Sequence, residues 1–246
     1  MMSHLYVTNP FDASPVGQVK LSSESEVDAA LAIAEKTHRN NKKGLPKYER
    51  AAILKKAAEI MKSRTTELAL LIASEGGKPL IDARVEVERA IDGVETCASE
   101  IANNSGLEIP MDLTPAGKGK MAFTIKEPIG PVVAISAFNH PLNLIVHQVG
   151  PAVAAGNPVI VKPADDTPLS CKRFITILCE AGLPPGWAQM VCCEVTIAQK
   201  MVTDPRFKFF SFIGSAQIGW KLRSLLPAGT RMALEHGFLD DNHQNS

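Results

Sequence analysis

The chain has 246 residues, 45% of them apolar and 21% charged, with 26 lysines and arginines against 26 aspartates and glutamates, so the formal net charge is zero. That composition excludes a disordered chain, leaves room for one large domain or two small ones, and supplies no bulk charge to draw nucleic acid or an anionic membrane. The start, Met1-Met2-Ser3-His4-Leu5-Tyr6, lacks the basic head and apolar run of a secretory signal. Five scattered cysteines, Cys97, Cys171, Cys179, Cys192 and Cys193, fit free thiols in a reducing, cytoplasmic setting.

The first half reads mainly helical. Ser22-Ser23 opens a helix over Glu24 to Lys42, with Val27, Ala30, Leu31 and Ala34 at helical spacing. A second helical pattern runs from Lys47 to Ser74 and stops at Gly76-Gly77. A third follows Pro79 and continues to about Asn104. Gly106 to Lys120, punctuated by Pro110, Pro115, Gly117 and Gly119, reads as a loop, and the alternation from Met121 to Lys126 as an exposed strand.

From Pro128 to Val161 no residue is charged. Pro131, Asn139, Pro141, Asn143 and Pro151 interrupt the run, so it is no membrane span, which needs about 20 continuous apolar residues. It reads instead as strand, turn, helix and strand, buried on both faces as in the centre of a parallel sheet. Strands are expected at Val132–Ser136, Pro158–Lys162, Ala188–Cys192, Phe207–Ile213 and Thr230–Glu235, and helices at Leu142–Ala155, from Pro168 to about Ala181, at Thr196–Val202 and from Ser215 to about Leu226. Thr167 reads as the N-cap of the second of these helices. Five strands with four crossovers predict an α/β fold with a right-handed, doubly wound parallel sheet.

In such sheets ligands bind beyond the carboxyl ends of the strands. Four of those ends carry polar chemistry: Phe138-Asn139-His140-Pro141, Lys162-Pro163-Ala164-Asp165, Phe212-Ile213-Gly214-Ser215 and Leu234-Glu235-His236-Gly237. Singly, Asn139 reads as a turn residue bonding its own backbone, Lys162 as the first residue to meet solvent, Gly214-Ser215 as a helix entry, and Glu235 as a strand-end charge. Together they set an amide, an ammonium–carboxylate pair, an anion-ready helix start and a second carboxylate along one sheet edge.

In that order the motifs resemble the aldehyde dehydrogenase superfamily. Ala137-Phe138-Asn139-His140-Pro141 matches the family's amide motif, Gly150 to Asn157 followed by Val159-Ile160-Val161-Lys162-Pro163 its helix and lysine strand, and Phe212 to Ser215 its phosphate turn. The resemblance runs from about Asn9 to Gly237. It implies a Rossmann-like dinucleotide site in which Lys162 and Asp165 hold the adenosine ribose, and Gly214 and Ser215 the pyrophosphate, with Ser136 and Phe138 completing the set. It also implies that Asn139 donates to the oxyanion formed when a thiolate attacks an aldehyde, and that Glu235 activates water to release the acid. Asp165 favours NAD, with NADP possible. Asn139 to Leu144 with His147 resembles branches acting on small hydroxylated or phosphorylated aldehydes such as lactaldehyde. The departures are Asp165 for the more usual Glu, His236 for Leu, and Cys192-Cys193-Glu194 without the glycines many members carry.

The resemblance divides the chain into a helical N-terminal part (1–118), a bridging hairpin of the oligomerisation type (119–130), a dinucleotide-binding core (131–237) and a tail unlike the family (238–246). The family's nucleophilic cysteine lies in a domain beyond the Leu-Glu motif, whereas this sequence stops nine residues after Gly237. Cys171 and Cys179 read as buried packing residues on one helix, Cys192 and Cys193 point to opposite faces, and nothing in the spacing suggests a metal site. His147 on its buried helix and His236 read as structural. The leading expectation is a cofactor-binding portion of an aldehyde dehydrogenase, an oxidoreductase, truncated and inactive alone, taking a small aldehyde only if a catalytic half is supplied. The alternatives are a non-catalytic fragment that associates with itself or a homologue, and a non-functional remnant.

Overall fold

Two strands come first in the computed structural model, which describes residues 4–40 and 45–237. His4–Thr8 (β1) pairs antiparallel with Pro15–Lys20 (β2), a hairpin absent from the sequence expectation because it buries little besides Val7 and Val19. Glu24–Arg39 (α1) follows, opened by a capping box between Ser23 and Glu26. The end expected at Lys42 and the tail from 238 onward lie outside the described residues.

The helical pattern from Lys47 is two helices, Lys47–Ser63 (α2) and Thr65–Gly76 (α3), parted at Arg64. The hydroxyls of Ser63 and Thr65 bond back to the carbonyls of Ile60 and Lys62 at 2.8 and 2.9 Å, a local competition that weakens a continuous helix. Gly77 closes α3 at a φ of 65°, where glycine avoids the Cβ clash. Leu80–Asn103 (α4) agrees with expectation to one residue. The expected loop contains a strand, Glu108–Ile109 (β3), which pairs with Ala122–Phe123 (β4). The hairpin therefore begins earlier than residue 119, and its second strand is shorter than Met121–Lys126.

The remaining elements alternate: Val132–Ile135 (β5), Asn143–Ala155 (α5), Val159–Lys162 (β6), Pro168–Glu180 (α6), Ala188–Met190 (β7), Val195–Val202 (α7), Phe209–Gly214 (β8), Ala216–Leu225 (α8) and Arg231–His236 (β9). The five strands form one parallel sheet in the order β7-β6-β5-β8-β9, so the chain leaves β5 first to one side and later to the other. Alternate residues of the central strands enter two cores. Val132, Ala134, Val159 and Val161 pack with α2–α6, while Val133, Ile160, Phe210 and Phe212 pack with α1 and α7. Burial on both faces explains the absence of charge from Pro128 to Val161.

Two of the crossover helices, α5 and α6, are capped by side chains from distant helices. Glu86 of α4, 2% exposed, accepts hydrogen bonds from the amides of Leu142 and Asn143 at 2.9 and 3.1 Å at the start of α5. At the other end of α5, Arg50 donates Nε to the Ala154 carbonyl at 3.1 Å. The charges match the helix dipole at both ends. Glu75 of α3 likewise accepts from Leu169 and Ser170 at 2.7 and 2.8 Å. This corrects the reading of Thr167, which occupies the N-cap position of α6 but makes no side-chain cap. Its buried hydroxyl has no partner, because the Glu75 carboxylate takes the amides instead.

Replacing Glu86 by Leu would strand two amides and the Lys78 ammonium, and we expect a loss of about 3–5 kcal/mol in urea unfolding. Glu75→Leu should cost less, about 1–3 kcal/mol. Burial holds the Glu75 carboxyl above its ordinary 4.5. Being raised, it adds stability below the unfolded value and loses it as pH rises through the folded value. Wild type should therefore lose stability relative to Glu75→Gln between acid and neutral pH. A constant difference would contradict this.

Candidate functional site

The carboxyl ends of β5, β6, β8 and β9 share one edge of the sheet. The parallel register places Ile135 beside Lys162 and Phe212, and Gly214 beside His236, so all four motifs lie along that edge. Lys162, 8% exposed, is the buried cation of the group. Its Nζ donates to Asp165 Oδ1 at 2.7 Å and to the Pro163 carbonyl at 3.3 Å. Asp165 is half exposed, leaving the pair open to a ligand. The Ser136 amide donates to the Lys162 carbonyl at 3.0 Å, and the buried Ser136 Oγ has no partner. The reading of Lys162 as a residue merely reaching solvent is thereby corrected, since the apolar strand keeps its stem buried.

Ser215 caps α8, accepting from the Ile218 amide at 3.5 Å. A side chain at Gly214 would meet the Phe212 ring at 2.7 Å, so the turn stays bare, and Ser215, Gln217 and Ile218 at the start of α8 are exposed, where the first amides of a helix lack partners within it. Phe138 and Asn139 are exposed between β5 and α5. No hydrogen bond joins the Asn139 amide to its own backbone among the described residues, and the turn reading of Asn139 loses its basis. Glu235 is exposed at the end of β9. His236 packs against Phe212 and Trp220, with ring centroids 6.4 and 5.4 Å away, and neither of its nitrogens has a partner.

Several functional neighbours escaped sequence reasoning. The buried polar residues of α5 are Asn143 and Gln148, whereas His147 is exposed. Gln148 Nε2 lies 3.1 Å from the Ile135 carbonyl and 3.3 Å from the Ser211 carbonyl, tying β5 to β8 where the strand order reverses. An amide in the middle of an otherwise apolar helical stretch was the available signal. Lys78 and Glu86 form a buried ion pair beneath the Asn139 loop, and Lys78 Nζ lies 2.9 Å from His140 Nδ1.

The thiols do not join this edge as nucleophiles. Burial pushes Cys97 up to about 11 and Cys192 up to about 12, and raises Cys171 and Cys193 as well. Such thiols are inert at neutral pH. Cys179 is exposed, contrary to the packing role expected of it. Among the described residues no cluster of His, Cys, Asp and Glu would hold a metal ion, and no helix is long and apolar enough to cross a membrane. Iodoacetamide at neutral pH should modify Cys179 first and the other four only on unfolding, as read by mass spectrometry. Early labelling of native Cys192 would contradict the burial argument.

Known proteins bear on the edge. The aldehyde dehydrogenase family model matches residues 2–240. The chain is 36% identical over 233 residues to 3-sulfolactaldehyde dehydrogenase of Priestia aryabhattai, covering 94% of this chain and 48% of that protein. It is 32% identical over 241 residues to lactaldehyde dehydrogenase of Methanocaldococcus jannaschii, covering 96% and 50%. The structure of NADP-dependent glyceraldehyde-3-phosphate dehydrogenase from Bacillus halodurans C-125, complexed with NADP, superposes with a TM-score of 0.90 at 29% identity, covering 96% of this chain and 49% of that one. The chain thus spans about half the length of the relatives it matches. With the motifs of four strand ends on one parallel sheet and a family match across nearly all its residues, the chain belongs to the aldehyde dehydrogenase family.

Proposed function

We propose that this chain binds a nicotinamide dinucleotide along the carboxyl edge of its sheet, NAD in preference to NADP, as the cofactor-binding portion of a cytoplasmic enzyme oxidising a small hydroxyaldehyde such as lactaldehyde. The observation that carries this reading is Lys162, a buried ammonium whose side-chain partner is the half-exposed Asp165. The residues present fit the group: Lys162 and Asp165 offer a donor and an acceptor to ribose hydroxyls, the orphaned Ser136 Oγ lies beside them, and the start of α8 favours a pyrophosphate. Asp165 would repel a phosphate on the ribose, which supports NAD.

The bound dinucleotide supplies a hydride acceptor. Asn139 would donate its amide hydrogen to the oxygen on which negative charge develops, a role generally worth about 3 kcal/mol. Glu235 would take the proton from the water that releases the acid. The attacking thiolate would come from outside the five thiols here, four of which are buried or partly buried with raised pKa values, so this chain alone should form no NADH from an aldehyde.

Calorimetric titration tests the binding. NAD should bind more tightly than NADP, and Lys162→Ala should weaken NAD about 10- to 100-fold, the worth of hydrogen bonds to a charged group. Absence of NAD binding, or an indifferent Lys162→Ala, would overturn the assignment. A second reading, self-association or association with a homologue, is favoured by the β3–β4 hairpin, where Met121 is 85%, Phe123 67% and Ile125 72% exposed. Light scattering should show oligomers that Phe123→Ser reduces, and a monomeric wild type would remove that reading.

A further inference from the structure

Resting on the dinucleotide reading, we propose that His140 selects the substrate by donating Nε2–H to the hydroxyl on the carbon next to the aldehyde, and that Lys78 fixes the imidazole in that tautomer. Lys78 Nζ lies 2.9 Å from His140 Nδ1. An ammonium has three donors and no lone pair, so the nitrogen facing it must present its own lone pair. The neutral ring therefore carries its hydrogen on Nε2. Glu86 does not compete for the opposite tautomer. One of its oxygens accepts two backbone amides, the other pairs with Lys78, and its approach to His140 Nδ1 is 3.4 Å. The Lys78 side chain is 15% exposed and that of Glu86 1%, which keeps water from replacing the lysine at Nδ1.

The ring itself is 42% exposed. With Nδ1 turned inward to the buried pair, Nε2 lies on the opposite side of the ring, and no hydrogen bond joins it to another described residue. It belongs to the residue that follows Asn139, whose exposed amide is assigned to the aldehyde oxygen. A donor on the next residue of the same loop is placed by the chain, one position along from that amide, to reach an oxygen one carbon away from the reacting centre. The relatives above are named for lactaldehyde, 3-sulfolactaldehyde and glyceraldehyde 3-phosphate, and each of these compounds carries a hydroxyl at that carbon. The substrate class His140 would select is the 2-hydroxyaldehydes, the remaining substituent being left to other contacts.

The test uses the whole chain with ¹⁵N-labelled histidine, observed by long-range ¹H–¹⁵N correlation at about pH 8.5, above the ordinary histidine value of ~6.5. His140 is expected to show a bare Nδ1 and a protonated Nε2. Lys78→Met should move hydrogen to Nδ1, where Glu86 can accept it, while Lys78→Arg, which keeps a donor, should hold the wild-type tautomer. A wild-type ring with hydrogen on Nδ1 overturns the lock without recourse to either variant. With NAD present, lactate should shift the His140 Nε2 signal at about five- to tenfold lower concentration than propionate, which lacks the hydroxyl. Equal responses, or none, overturn the selecting role. NAD binding is read from its own adenine signals in the same samples. NAD bound beside an unresponsive His140 sinks this proposal alone, whereas unbound NAD sinks the cofactor reading and leaves the tautomer result to judge the lock.

Discussion

A carboxylate removed from water must find donors, and Glu86 finds them in three places at once: the amides of Leu142 and Asn143 and the ammonium of Lys78. Burying any one of these groups alone would cost several kcal/mol. Buried together they couple the turn after α3 and the helix α4 to the first turn of α5, 56 positions further along the chain. Glu75 repeats the arrangement at the start of α6. The N-terminal helices thus complete the hydrogen bonding of α5 and α6 and are integral to the dinucleotide-type sheet.

The site inherits its geometry from these caps. The loop bearing Phe138, Asn139 and His140 is bounded on one side by β5, pinned to β8 through Gln148, and on the other by the Glu86-capped start of α5. The loop bearing Asp165 and Thr167 runs between Lys162 and the Glu75-capped start of α6. Side chains that face solvent at the edge are held by backbone whose own polar groups are satisfied underneath, an arrangement that favours preorganised binding over induced ordering.

The sheet was legible in the sequence because its physics is local. Strands buried on both faces exclude charge, crossover helices between them show their own period, and the ends of the strands break the pattern with Asn139, Lys162, Ser215 and Glu235. The caps were not legible, because Glu75 and Leu169 lie 94 positions apart and Glu86 and Leu142 56, and a glutamate on a helix carries no local mark of burial. The β1–β2 hairpin was missed since its strands are mostly solvated. His147 was misjudged because an uncharged run is not a buried one: the exposed face of α5 carries an imidazole, while Asn143 and Gln148 turn inward. The break at Arg64 depends on hydroxyls bonding back to the helix, which helical spacing alone does not report.

Hydrogen exchange resolved along the chain tests the central assignment most directly, since it asks where a dinucleotide acts as well as whether it binds. Saturating NAD is expected to slow exchange in the segments 136–140, 162–167 and 214–219, the stretches of the carboxyl edge assigned to the cofactor, and to leave the amides of β1, β2 and α2 unchanged. Unaltered exchange at all three stretches, or protection confined to other parts of the chain, would contradict the placement of the cofactor at this edge.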